Sequence, residues 1–168
     1  YGESSGIMTG GAIQNNTGHR GAAVNIYSDD GDKRAIFTLE DDGLITRNTG
    51  ISANGNEAGG AVFVEDNAAF HMIGGTVSAN KASKGGGICI VDSALQRGIT
   101  EYGTEFLMDG GVISGNRVGT GGGIYSFSNG SFLRSGKIIN NTATYSGGGL
   151  YSEGKALMVT ALPIYIIP

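Results

Sequence analysis

The 168-residue sequence predicts an all-β solenoid, a chain wound into coils of short parallel strands, and three observations carry that prediction. First, two or three small residues followed by an aliphatic anchor recur at Gly21-Ala22-Ala23-Val24, Gly59-Gly60-Ala61-Val62, Gly85-Gly86-Gly87-Ile88, Gly121-Gly122-Gly123-Ile124 and Gly147-Gly148-Gly149-Leu150. Second, the anchors keep a period: Val24 to Val62 is 38 residues, Val62 to Ile88 26, Ile88 to Ile124 36 and Ile124 to Leu150 26. A unit of 26 therefore recurs, with two units lengthened by 12 and 10. Third, other positions hold the same phase. Eleven residues before the anchors stand Ile13, Ile51, Val77, Ile113 and Ile139, and eight before them Asn16, Asn54, Asn80 and Asn116, with Thr142 in the last unit.

Each element of the unit follows from its composition. In the fourth copy the apolar segments are Phe106-Leu107-Met108, Val112-Ile113-Ser114 and Ile124-Tyr125-Ser126. Short alternating runs bounded by Gly, Ser and Asn are strands. The residues between them are Gly, Ser, Thr and Asn, which disfavour the helical return of a leucine-rich repeat. Stacked coils lie ~4.8 Å apart, so every position becomes a column. The predicted inward columns are Ile13-Ile51-Val77-Ile113-Ile139, Val24-Val62-Ile88-Ile124-Leu150 and the partly aromatic Leu44-Phe70-Phe106-Phe132, with Met8, Met72 and Met108 two residues on. Asparagines at a corner tolerate left-handed backbone angles and bond along the stack. Gly10-Gly11, Gly74-Gly75 and Gly110-Gly111 suit the tight corners.

Two insertions interrupt the period, between Tyr27 and Gly43 and between Asp92 and Gly103, both after the strand that follows the small-residue triplet. They are predicted to emerge from one corner, with Ala35 to Leu39 as a small extra strand inside the first. Residues 1–6 form a partial first coil and 155–168 a partial last coil or cap within a single domain spanning 1–168, read as a fragment or subunit of something larger. Leu157-Met158-Val159 begins a sixth coil, Pro163 and Pro168 restrict ladder pairing, and the apolar Ile164 to Ile167 needs a partner.

The segments Phe70 to Ile90 and Phe106 to Ser126 resemble the right-handed parallel β-helix repeats of bacterial cell-surface and secreted adhesin-like proteins. Gly10-Gly11-Ala12-Ile13 and Gly59-Gly60-Ala61-Val62 are similar to the G-G-A-I element of chlamydial polymorphic membrane proteins, whose companion F-x-x-N element is absent here. The resemblance covers Gly6 to Ser152. It implies a right-handed parallel β-helix of about five coils of ~26 residues, an extracellular or cell-surface location, and a scaffold, adhesion or assembly role. The same superfold carries pectate-lyase-like enzymes, so a carbohydrate-active enzyme is one alternative. A filament subunit is the other, because solenoid ends expose unpaired strand edges open to self-association.

Composition excludes several function classes. With 15 acidic and 11 basic residues and no basic cluster, the chain lacks the face that nucleic acid requires. No apolar run reaches the ~18 residues of a membrane span. Cys89 is alone, which rules out a disulfide framework, and it shares a repeat position with Phe63, Tyr125 and Tyr151, the setting of a structural thiol. Asp109 aligns with Thr9, Arg47, Ile73 and Ser135, so the paired carboxylates of a glycosidase are not built into that column. Thr76 aligns with Ala12, Gly50, Val112 and Ile138, which is no ice-binding threonine rank. His19 and His71 fall in different repeats and read as surface residues.

Two candidate binding surfaces remain. Asp29, Asp30, Asp32, Lys33 and Arg34 of the first insertion are expected to approach Arg97, Glu101 and Tyr102 of the second, forming a mixed-charge patch. The outward column Asn25, Phe63, Cys89, Tyr125 and Tyr151 could stack on sugar rings or brace the sheet as an aromatic ladder. Asp29, Asp30 and Asp32 together with Glu40, Asp41 and Asp42 are acidic enough to raise the question of Ca2+, but they match no calcium-loop spacing and read as a solvated loop; no cofactor is expected. The expected partner is a host or environmental surface, glycan or protein.

Overall fold

Period-two alternation does produce strands here. The computed structural model describes residues 4–28, 33–51, 59–93, 103–128, 130–153, 157–160 and 164–167, in which nineteen β-strands pair throughout in parallel. Each strand pairs with its equivalent in the next repeat, so the fold is all-β and built of parallel sheets.

Four ladders run through the molecule. The first joins Ser4–Met8, Ala35–Leu39, Ala68–Met72, the leading halves of Glu105–Ser114 and Gly130–Ile139, and Leu157–Val159. The second joins Ala12–Gln14, Leu44–Thr46, Thr76–Ser78, the trailing halves of the same two long strands, and Ile164–Ile167. Because the long strands continue through the corner, the two ladders merge into one ten-stranded sheet. The third contains Thr17–Gly18 with Thr49–Gly50 and Arg117–Thr120 with Thr142–Ser146, linked through bridges at Lys81 and Lys84. The fourth is five-stranded: Val24–Tyr27, Val62–Glu65, Ile88–Val91, Ile124–Phe127 and Leu150–Ser152.

The side chains turned inward make one continuous core. Phe37, Phe70 and Phe106 stack at centroid separations of 6.1 and 5.7 Å, beside Leu39, Met72, Met108 and Leu133. Ile45, Val77, Ile113 and Ile138 form the second-ladder column, and Val62, Ile88 and Ile124 the fourth. Full burial of each such side chain contributes roughly 1.5–3 kcal/mol. The glycine triplets are where neighbouring repeats touch: a Cβ on Gly86 would lie 2.7 Å from the Gly122 carbonyl oxygen, and one on Gly122 only 2.0 Å from that of Gly148.

The register corrects the predicted columns in two places. In the second repeat, Ile45 and Asn48 occupy the positions assigned to Ile51 and Asn54; Ile51 is exposed, and Asn54 lies outside the described residues. The extra length of that repeat is divided, with six residues before Ile45 and six between it and Val62, so counting back from Val62 stops six short (51−45, 54−48). For the same reason Ala35–Leu39 is the regular first-ladder strand, not an extra one. Phe37 replaces Leu44 in the aromatic column, and Leu44 pairs with Ala12 and Thr76. In the fifth repeat, Val118 pairs with Ala143 but Thr120 with Ser146, which puts one extra residue between them. Counting back from Leu150 therefore slips by one: Ser131 and Ile138 face the core, while Phe132 and Ile139 turn to the other face. Thr76 accordingly aligns with Ala12, Leu44, Val112 and Lys137.

Correcting the register completes the asparagine corner. Asn16, Asn48, Asn80, Asn116 and Asn141 form an unbroken ladder in which each backbone N–H and each Nδ2 donates to the next Oδ1 at 2.9–3.1 Å. The Nδ2 groups also donate back to the carbonyls of Ile13, Ile45, Val77 and Ile113. Four of these asparagines are buried, and such burial is tolerable only because the donors are satisfied.

Candidate functional site

The predicted mixed-charge patch is partly visible. Asp29, Asp30, Asp32, Arg97, Glu101 and Tyr102 lie outside the described residues. Arg34, at the end of the first insertion, donates from Nη2 to the Gly103 carbonyl and to Glu105 Oε2, each at 3.1 Å. Gly103 and Glu105 stand at the end of the second insertion, so the two meet at one corner. The strand Ala68–Met72 lies between those of Arg34 and Glu105. The guanidinium spans it, and the residue aligned between Ile36 and Glu105 is Ala69, small and fully buried.

His71 completes the cluster, its Nε2 lying 3.0 Å from Glu105 Oε1. The three side chains are each about a quarter exposed, at 28%, 25% and 24% for Arg34, Glu105 and His71. Read as an isolated surface residue, His71 escaped the sequence argument. The signal that finds it is its outward place between Phe70 and Met72, beside the strand that carries Glu105. Lys33 is exposed, and its carbonyl accepts from Ser28 Oγ at 2.7 Å and Asn67 Nδ2 at 2.9 Å. Glu40, Asp41 and Asp42 turn the chain at the far end of the Ala35–Leu39 strand from Lys33, and among the described residues no group of three or more His, Cys, Asp or Glu is placed to hold a metal.

The second surface keeps its predicted register, Asn25, Phe63, Cys89, Tyr125 and Tyr151 aligning in order. It is not open, however: Phe63 is 7% and Tyr125 6% exposed. The Arg20 guanidinium lies 5.9 Å from the Phe63 ring centroid and is bound to Glu65, while Lys84 Nζ lies 5.3 Å from that of Tyr125. Tyr151 stacks on Tyr125 at 5.5 Å, and the Tyr125 hydroxyl donates to Glu153 Oε2 at 2.8 Å. Burial and that carboxylate push the Tyr125 hydroxyl pKa upward. Burial pushes the Cys89 thiol up to about 12, which keeps it protonated and unreactive. This arrangement is that of a bracing ladder.

A third surface, unforeseen in the sequence, lies on the outer side of the first ladder. Thr38, His71, Leu107 and Phe132 align there across four strands. Beside them Arg134 Nη1 donates to Asp109 Oδ2 at 3.3 Å, and the Ser135 hydroxyl donates to the Asp109 carbonyl. Leu107 and Phe132 are each half-buried between fully buried neighbours.

No family model, curated protein or solved structure matches this chain. No helix among the described residues is long and apolar enough to cross a membrane.

Proposed function

We propose that the chain is a right-handed parallel β-helix of about five coils that serves as a non-catalytic adhesion scaffold outside the cell or at its surface. The parallel ladders, the repeat-to-repeat pairing and the asparagine corner support the fold reading. The observation that carries the functional one is the Arg34–Glu105–His71 cluster, which joins the ends of both insertions at one corner. The regular 26-residue unit closes without either insertion, as Val62 to Ile88 and Ile124 to Leu150 demonstrate, so these segments are free to vary for recognition. Carboxylates near this face and the next act as ties between repeats: Glu65 to Arg20, Glu105 to Arg34 and Asp109 to Arg134. The partner is a glycan or protein of a host or environmental surface.

Shortening residues 28–34 and 92–104 to the length of the Asp66-Asn67 turn, which joins the same two ladders between Val62–Glu65 and Ala68–Met72, and measuring binding to cells and to a glycan array tests the reading. Retained β-sheet circular dichroism with lost binding is the expected result. Unchanged binding in both shortened chains would overturn the assignment of the recognition surface.

A further inference from the structure

We infer that the outer face of the first ladder, the strip of His71, Leu107 and Phe132, binds an uncharged hexose-based glycan. The inference rests on the adhesion reading above and specifies the ligand class it requires.

The register slip of the fifth repeat changes which side chains enter the core. At the aligned position of the two preceding repeats the core receives Phe70 and Phe106, whereas here it receives Ser131. Ser131 is kept satisfied by Ser126 at 2.8 Å and Ser128 at 3.1 Å. Phe132, the aromatic residue that would have continued the stack, is turned outward instead, beside Leu107. Putting a buried hydroxyl cluster in the core and a partly exposed phenyl ring on the outer face runs against the hydrophobic pattern of the rest of the molecule. Such reversals mark functional positions more often than stabilising ones.

An irregularity in pairing sits beside the ring. Met108 pairs with Leu133 but Asp109 with Ser135, leaving Arg134 as the extra residue of a bulge. Bulges re-aim side chains and are frequent next to binding sites. Here the bulged residue holds Asp109, so the strip is flanked by Arg134–Asp109 on one side and by Arg34–Glu105 on the other.

The charge arrangement selects the ligand. Each flank carries one cation and one carboxylate already paired, so neither presents an excess of either sign to an ionic partner. What the flanks do present is fixed donors and acceptors at the edges of an apolar ridge. A neutral pyranose has the matching form, with an apolar C–H face to lie on Phe132 and hydroxyls around its rim to meet the paired side chains. Phe63 and Tyr125 cannot serve this role because Arg20 and Lys84 cover them.

The chain contains no tryptophan, so Phe132→Trp creates a single fluorescent reporter at the proposed contact. Titration with neutral gluco- and galacto-oligosaccharides should give a saturable emission change, while oligogalacturonate and chitosan oligomers should give little. In the unsubstituted chain, calorimetric affinity for the same neutral sugars should fall up to about tenfold on Phe132→Ala, the effect of losing one aromatic stacking contact. No saturable response to neutral sugars overturns the proposal, as does a response confined to the charged ones. If the shortened-insertion chains lose cell binding while the reporter stays silent, the adhesion reading survives and this assignment fails. If Phe132→Ala fails to fold, the reporter titration alone decides.

Discussion

Two outward-facing apolar columns on one scaffold meet opposite fates. On the fourth ladder, Phe63, Cys89 and Tyr125 are buried beneath Arg20 and Lys84, each cation near the centroid of a ring. On the first ladder, His71, Leu107 and Phe132 stay partly exposed, with Arg34 and Arg134 drawn sideways to Glu105 and Asp109. The same residue types produce a brace in one place and an accessible ridge in the other. Where the carboxylate stands decides which. Composition alone does not distinguish the two, since both are aromatic columns bordered by cations.

The largest effect should come from removing what backs both faces. Ile113→Asp places a carboxylate in a fully buried column and should abolish cooperative urea unfolding, whereas Arg117→Ala on the exposed corner should be nearly silent. Comparable losses in the two variants would contradict the register. Next in size, Tyr125→Ala should cost about 3 kcal/mol by thermal or urea denaturation, as expected for truncating a buried aromatic. Phe132→Ala, at a partly buried ring, should cost less, about 1–2 kcal/mol on the same assay. Equal costs would erase the distinction between brace and ridge.

Alkaline pH should weaken the braced face selectively. The Cys89 thiol is raised from 9.0 to about 12 in the folded protein, so its contribution is complete below pH 9 and is lost as pH rises towards 12. The limiting slope is about 1.4 kcal/mol per pH unit. Tyr125 is shifted in the same direction and adds to the loss at the upper end of that range. Melting temperatures measured from pH 8 upward should fall, and Cys89→Ala should flatten the fall. The smallest effect belongs to Arg34→Ala, which removes a partly exposed ion pair and should cost about 1 kcal/mol or less in stability. It should nevertheless alter recognition at the corner, read by the cell-binding assay.

The repeat itself was legible because its anchors are fixed by steric need: small residues are required at the corner where the backbones of neighbouring repeats approach closely, and an aliphatic residue must follow them into the core. Register across corners was less legible, because a single count from each anchor assumes that all extra residues fall in one place. Asn54 satisfied that count by coincidence, while Asn48, six residues earlier, is the residue that bonds Asn16 and Asn80. Ser131 was hidden for another reason: a buried serine carries no hydrophobic signal, and the neighbouring Phe132 drew the assignment to itself. At the site, Arg34 could be named from its insertion. Glu105 and His71 could not, since they meet it only after the intervening strand is laid in place.

The two long strands, Glu105–Ser114 and Gly130–Ile139, pass through a corner at which the earlier repeats break. Elsewhere each ladder can fray on its own, because contacts run only to adjacent repeats. Across these two repeats the backbone acts as a splint, and opening one ladder requires opening the next. Amide hydrogen exchange should therefore be slowest between residues 105 and 139, and a load applied at either end of the molecule would be carried last by this segment. The Leu107–Phe132 ridge sits on that splint, on the part of the chain best suited to remain in shape while something pulls on it.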